Sequence, residues 1–170
     1  MNKPKLLLLA TGGTIASQPT AEGLAPGLDG EALTDMLPSA VLKRYEITVR
    51  DILHMDSSNI QPEEWQIIGR HVFASRRAYD GIVITHGTDT MAYTAAILSF
   101  MLQGISIPVV LTGSQLPIEH PLSDGQENLR LPWPWRRVGP AACLWPSTAR
   151  SFWAPGRSKP APPASTPLRA

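Results

Sequence analysis

The chain has a single cysteine, Cys143, which excludes an internal disulfide and any multi-thiolate metal site. It has no apolar run near the roughly 18 residues of a membrane span. The opening MNKPKLLLLA looks faintly like a signal peptide. Its apolar stretch falls short of the roughly 7–15 residues such a peptide needs, and Thr11-Gly12-Gly13 follows at once, so a strand explains it better. The nucleotide-cradling patterns GxGxxG and GxxxxGKS/T are missing, as is the GxSxG nucleophile elbow. No His-x-x-x-His or comparable ligand spacing occurs, so zinc held by His54 and His86, both at strand ends, is the weaker reading.

Acidic residues are absent from the last part of the chain. Residues 1–131 carry nine Lys/Arg against all fourteen Asp/Glu, a net charge of −5, whereas residues 132–170 carry six basic groups, a net of +6. The body therefore gives no electrostatic reason to expect nucleic acid. Residues 132–170 hold nine prolines and four of the five tryptophans with no apolar period. Such a composition cannot bury enough apolar surface to offset ordering, so this tail is expected to be disordered. It reads like coding sequence out of frame. Its alternative use, Arg136, Arg137, Arg150 and Arg157 stacking with the tryptophans on single-stranded nucleic acid or a membrane surface, is the weaker reading. One domain over 1–131 with a reducing, cytoplasmic setting and neither nucleic acid nor membrane as partner is the expectation.

What is present is a run of apolar segments, each ending in a polar turn. Leu6 to Leu9 lack an amphipathic period and suit a strand covered on both faces, as in parallel sheets. Gly12 and Gly13 permit φ > 0 and close approach of another group. Gln18 to Gly30 is rich in Gly, Pro and Ala and reads as a long loop over the first turn. A short helix is expected from Asp29 or Gly30 to Leu37, then a strand from Glu46 to Leu53. Pro62, Glu63 and Glu64 suit the start of a helix carrying Trp65, Ile68 and Val72. Asp80-Gly81 is a turn, and Ile82 to Thr85 a buried strand. A helix from about Met91 to Gln103 is apolar nearly all round, which predicts burial, with Gly104 as its cap. Ile107 to Thr112 is a fourth strand, and Ser123 to Gln126 is spaced as a capping box. Strands alternating with helices predict an α/β fold with a doubly wound, mostly parallel sheet.

Four polar clusters end the four strands: Thr11–Thr14, Asp56–Asn59, His86–Thr90 and Gly113–Gln115. Open α/β sheets place ligands beyond the carboxyl ends of their strands, which favours a site. The bland alternative is a set of N-caps, open to Ser57, Ser58, Thr88 and Asp89. With no cysteine in the body, the chemistry left is a hydroxyl nucleophile beside a carboxylate. Such a hydroxyl needs a partner that takes its proton.

The stretches TGGTIA (11–16) and HGTDT (86–90) resemble the two signature motifs of the bacterial-type L-asparaginase/glutaminase family. MDSSNIQPEEW, DGIVITHGTDTMAYTAAILSFML, PVVLTGSQLP and SDGQENL are similar to its cytoplasmic type I branch. The resemblance covers residues 5–131. It implies hydrolysis of L-asparagine, with L-glutamine as second candidate, to the acid and ammonia. Thr14 is the implied nucleophile, with Thr88 and Asp89 in a Thr–Lys–Asp relay. Asp56, Ser57, Ser58, Thr88, Asp89 and Ser114 are the implied substrate-binding residues. No cofactor or metal is implied, and assembly as a homodimer or homotetramer is. Two departures stand out. The loop position that holds a tyrosine in many relatives is Leu24, and Tyr45, Tyr79 and Tyr93 lie elsewhere. The relay lysine belongs to a strand after SDGQENL, where this chain has its proline-rich tail: Lys159 is out of context, and Lys3, Lys5 and Lys43 are misplaced. The family's C-terminal domain is absent from the sequence. An inactive, frameshifted remnant is thus the expected present state. An amidotransferase component that releases ammonia from glutamine is the second enzymatic reading, disfavoured by a first strand that begins by residue 5.

Overall fold

In the computed structural model, which describes residues 3–20, 23–27, 30–130 and 143–144, the leucine run forms β1 (Lys5–Gly12) at the heart of the sheet. Leu7 and Leu9 point to one face and Leu8 and Ala10 to the other, all at most 2% exposed. Full burial of each leucine contributes about 1.5–3 kcal/mol, so both faces of β1 are committed to packing. β2 (Ser17–Thr20) and β3 (Gly23–Pro26) pair as an antiparallel ribbon of their own. This corrects the expectation of an irregular loop over Gln18–Gly30. The ribbon carries Pro19, Gly23 and Pro26, residues a two-stranded edge tolerates and a buried strand does not.

α1 (Gly30–Asp35) and α2 (Ser39–Arg44) lead into β4 (Glu46–Met55). The Gly30 amide donates to the Asp51 carboxylate at 3.0 Å, so β4 supplies the acceptor that the start of α1 needs. α3 (Pro62–Ser75) opens with the expected proline and the acidic pair, and closes its own capping box between Gln61 and Glu64. β5 (Gly81–Thr85), α4 (Met91–Met101) and β6 (Val109–Thr112) follow, then α5 (Gly125–Arg130). The Gly125 amide donates to Ser123 Oγ at 3.0 Å and the Ser123 amide donates to His120 O, so Ser123 still caps the start of α5 but without the reciprocal Ser123–Gln126 box expected there.

The strands pair in parallel in the order β4-β1-β5-β6, with a two-residue β7 (Cys143–Leu144) beside β6. Those two residues are a strand where no regular element was expected; the rest of the anticipated disordered tail lies outside the described residues. Strand order reverses at β1, the topological switch of a doubly wound sheet. On one face Leu7, Leu9, Ile82, Ile84 and Leu111 pack against Ile68 and Val72 of α3 and Met91 and Leu98 of α4. On the other, Leu8, Ala10 and Val83 meet Leu33 of α1, Leu129 of α5 and Ile15. α5 thus lies on the face of the sheet opposite α3 and α4.

Burial of α4 is narrower than its composition suggested. It buries Met91, Thr94 and Leu98 and leaves Tyr93 68%, Phe100 60% and Met101 44% exposed. A helix laid on a sheet hides one stripe, and the main neighbours of α4 among the described residues are α3 and β7.

Candidate active site

Gly12 and Gly13 take φ 95° and 79°, which lets β1 turn abruptly into the short 3-10 turn Thr14–Ala16. Gly13 donates its amide to Met55 O at 3.1 Å, tying the first cluster to the end of β4. A Cβ on Gly13 would lie 2.5 Å from the Gly87 nitrogen, and one on Gly87 would lie 2.3 Å from Ser57 Oγ. Thr90 Oγ1 donates to Ser57 O at 2.9 Å. A Cβ on Gly125 would lie 3.2 Å from Ser114 Cβ and 3.4 Å from Ile15 Cγ1, so the fourth cluster abuts the turn that carries Thr14. All four polar clusters therefore meet along one rim, beyond the carboxyl ends of β4, β1, β5 and β6, with the switch between β1 and β5 at its centre.

The individual side chains differ in how far they are committed. Thr14 is half-buried, and among the described residues its hydroxyl has no hydrogen-bond partner. Thr88 is half-buried and Asp89 exposed. Neither caps α4, whose N-cap is Thr90 with no side-chain cap bond. In the Asp56–Asn59 cluster the cap falls instead to Asp56, which the capping alternative did not include: its Oδ1 accepts from the amide and the hydroxyl of Ser58, each at 2.9 Å. Ser57 is buried with its hydroxyl unpartnered. Ser114 is 1% exposed and donates its hydroxyl to Leu116 O, so it offers the rim main chain rather than a free hydroxyl.

Sequence reasoning passed over three supports. Gly87 is the point where three clusters touch. Asn128 of α5 donates from Nδ2 to Gly113 O at 2.9 Å and to Asp124 Oδ2 at 3.1 Å, while Asp124 Oδ1 accepts from the Gln115 amide at 2.9 Å. The SDGQENL stretch was legible only as a helix start; its grip on the 113–115 loop is a tertiary fact. His86 is 1% exposed, and both ring nitrogens are engaged within the fold, Nδ1 with Gly87 O and Nε2 with Thr94 Oγ1. That disposes of zinc through His54 and His86, and among the described residues no group of three potential ligands could hold a metal ion. Burial holds the His86 imidazole below its usual pKa, against the opposing pull of its bond to Gly87.

The described lysines stand elsewhere. Lys3 Nζ donates to Leu42 O, Lys5 lies 3.9 Å from Glu46, and Lys43 sits on α2 just before β4 begins. All three belong to the amino-terminal edge of the sheet. Tyr45 and Tyr79 precede β4 and β5 at that same edge, and Tyr93 points outward from α4.

Fold and rim together define a doubly wound α/β domain whose strand-end edge presents hydroxyls, carboxylates and close-packed main chain. Comparison with known proteins narrows the class. The family model described as asparaginase, N-terminal, matches residues 5–131. The L-asparaginase of Thermococcus kodakarensis is 53% identical over 138 residues, which is 79% of this chain and 41% of that protein. A glutamyl-tRNA(Gln) amidotransferase protein of Thermoplasma acidophilum is 41% identical over 128 residues, 74% of this chain and 31% of that protein. Among solved structures, the thermostable L-asparaginase from Thermococcus kodakarensis superposes with a TM-score of 0.76 at 46% identity, covering 88% of this chain and 45% of that one. The chain belongs to the asparaginase family, and it spans about two fifths of the length of the L-asparaginase it matches. Among the described residues no helix is long and apolar enough to cross a membrane.

Proposed function

We propose that residues 1–131 are the substrate-recognising unit of an L-asparaginase-type amidohydrolase, with 132–170 a separate appendage. The observation that carries this is the convergence of Gly13, Gly87 and Ser57, which gathers Thr14, Thr88, Asp89 and Asp56 along one rim. The carboxylates of Asp56 and Asp89 hold the α-amino group of the substrate, while Ser57, Ser58 and the main chain at Ser114 serve its carboxylate and carboxamide. Thr14 Oγ attacks the carboxamide carbon, the C–N bond breaks, and ammonia leaves an acyl ester on Thr14. Water positioned by Thr88 then hydrolyses the ester. The free hydroxyl of Thr14 and the uncommitted side chains of Thr88 and Asp89 support these roles.

Proton removal from Thr14 is the weak step. A threonine hydroxyl is a feeble nucleophile without a base. Asp89 has no lysine beside it among the described residues, since Lys3, Lys5 and Lys43 lie at the other edge. This chain by itself therefore binds the amino-acid ligand but turns over near background. The net charge of −5 over 1–131 supports a small zwitterion rather than nucleic acid as ligand. Family-like homodimers or homotetramers in the cytoplasm, where a lone cysteine stays reduced, complete the reading. The amidotransferase relative supports glutamine as the competing substrate.

The test pairs a thermal-shift titration of the 170-residue chain with L-aspartate and L-glutamate against ammonia release from both amides. A ligand at one hundred times its Kd stabilises by about 2.7 kcal/mol, a shift of several degrees. L-aspartate is expected to give that shift and Asp56→Ala to remove it, with ammonia release near background. Absence of any shift overturns the recognition reading. Rapid ammonia release abolished by Thr14→Ala overturns the argument from the missing base.

A further inference from the structure

We propose that His86 is a positioning residue, locked as the neutral Nδ1–H tautomer by a chain from half-buried Trp65 through fully buried Thr94, and that it fixes the Gly87 carbonyl at the point where the rim is assembled. The functional consequence of this rests on the amidohydrolase reading above. Trp65 Nε1 lies 2.9 Å from Thr94 Oγ1, Thr94 Oγ1 lies 2.9 Å from His86 Nε2, and His86 Nδ1 lies 2.7 Å from Gly87 O.

The two ends of this chain set its direction. An indole nitrogen can only donate and a carbonyl oxygen can only accept. Nδ1 must therefore carry the proton that reaches Gly87 O. With the ring neutral, Nε2 is bare and takes the proton of the Thr94 hydroxyl, whose oxygen in turn accepts from Trp65. No other arrangement of the neutral groups satisfies all three contacts. Thr94 is 0% and His86 1% exposed, so water cannot substitute for a lost partner. An orphaned buried group is costly, and the chain resists any change of tautomer.

What the lock holds is the tightest point of the rim. A Cβ on Gly13 would strike the His86–Gly87 peptide and one on Gly87 would strike Ser57, so the residue whose carbonyl the lock holds has close neighbours on two sides, and Thr88 and Asp89 follow it directly. A rotation of the Gly87 carbonyl would turn the next peptide and carry Thr88 with it. α3 and α4, which pack on one face of the sheet, thereby gain a second link to the rim through the His86 imidazole, beside the bond from Thr90 at the start of α4 to Ser57 O.

The test uses the full chain with Thr94→Val, which keeps shape and loses the hydroxyl, and Thr94→Ser, which keeps the hydroxyl. Nitrogen-15 NMR reads the His86 tautomer and the Gly87 and Thr88 amide shifts, and calorimetry reads the Kd for L-aspartate. Wild type is expected to show Nδ1–H. Thr94→Val is expected to mix the tautomers, move both amides and weaken L-aspartate about tenfold, the size of one lost buried hydrogen bond. Thr94→Ser is expected to restore all three. An Nε2–H tautomer in wild type overturns the proposal, and so does a Thr94→Val chain whose amide shifts and Kd are those of wild type, whatever its melting temperature. If wild type itself binds no L-aspartate, the amidohydrolase reading fails, and the tautomer and amide shifts still decide whether His86 holds the turn. Should Thr94→Val not fold, Trp65→Phe removes the donor at the far end and serves the same readouts.

Discussion

Gly13→Ala is the substitution whose cost can be worked out most completely. The residue sits at φ 79°, ψ 178°, a region other residues enter only at about 1–3 kcal/mol. Its new Cβ would lie 2.5 Å from the Gly87 nitrogen and 2.7 Å from Gly87 Cα. Both are main-chain atoms, so no rotamer change relieves the overlap, and overpacking of this kind adds about 1–3 kcal/mol. The two effects together come to about 2–6 kcal/mol, set against a total stability of about 5–15 kcal/mol for a domain. Two further glycines separate the contributions. Gly104 has φ 80° with nothing within 4 Å, so Gly104→Ala meets backbone strain alone, about 1–2 kcal/mol. Gly87 carries no left-handed φ, but its Cβ would lie 2.3 Å from Ser57 Oγ and 2.7 Å from Ser57 Cβ. Gly87→Ala therefore meets contact alone, about 1–3 kcal/mol. Urea denaturation of the three variants gives the ordering, provided the slope of the transition is unchanged. Gly13→Ala should be the most costly, and adding Ser57→Gly should recover part of the Gly87→Ala loss but none of the Gly104→Ala loss. A Gly13→Ala chain as stable as Gly104→Ala would refute the close approach of the first and third clusters, and with it the rim.

Two other outcomes follow from the same geometry. His86 is neutral in the fold because burial opposes its charge, while the unfolded chain titrates near 6.5. Just below that pH the unfolded state binds more protons, so stability falls as pH drops through 6.5 and levels off below the folded value. Thermal melts between pH 8 and pH 5 read this as about one proton's worth of slope, which His86→Gln should flatten; an unaltered slope would refute the buried neutral ring. Asn128→Ala should cost about 1–3 kcal/mol, because it strips the donor from the buried Gly113 carbonyl. Hydrogen exchange at Ser114 and Gln115 should quicken in that variant, and unchanged protection would mean that α5 does not hold the fourth cluster.

The strands were legible because their chemistry is unambiguous: Leu6–Leu9 and Ile82–Ile84 are too apolar to face water on either side, and both are buried. The β2–β3 ribbon was not, because the sequences SQPT and GLAP, with a proline in each, carry no run of alternating apolar and polar residues to read. α2 escaped for a similar reason, since Val41 is the one buried residue in Ser39–Arg44. α4 misled in the other direction: composition counts apolar residues all round a helix, whereas a helix on a sheet hides only one stripe. Within the site, the placement of Thr14, Asp56, Ser57, Thr88, Asp89 and Ser114 at strand ends was readable from the alternation of strand and turn. The capping duty of Asp56, the closed hydroxyl of Ser114 and the double engagement of His86 were not, because each depends on a partner whose direction only the folded backbone sets.

Alternating strands and helices with polar turns at one edge follow from the order of residues, since hydrophobic runs and glycine pairs act locally and have few alternatives. That the turns touch does not follow from it. Strand order places β1 between β4 and β5, and only that order brings Gly13 against Gly87 and Gly87 against Ser57. Close packing between segments dozens of residues apart is a property of the sheet, not of any stretch within it.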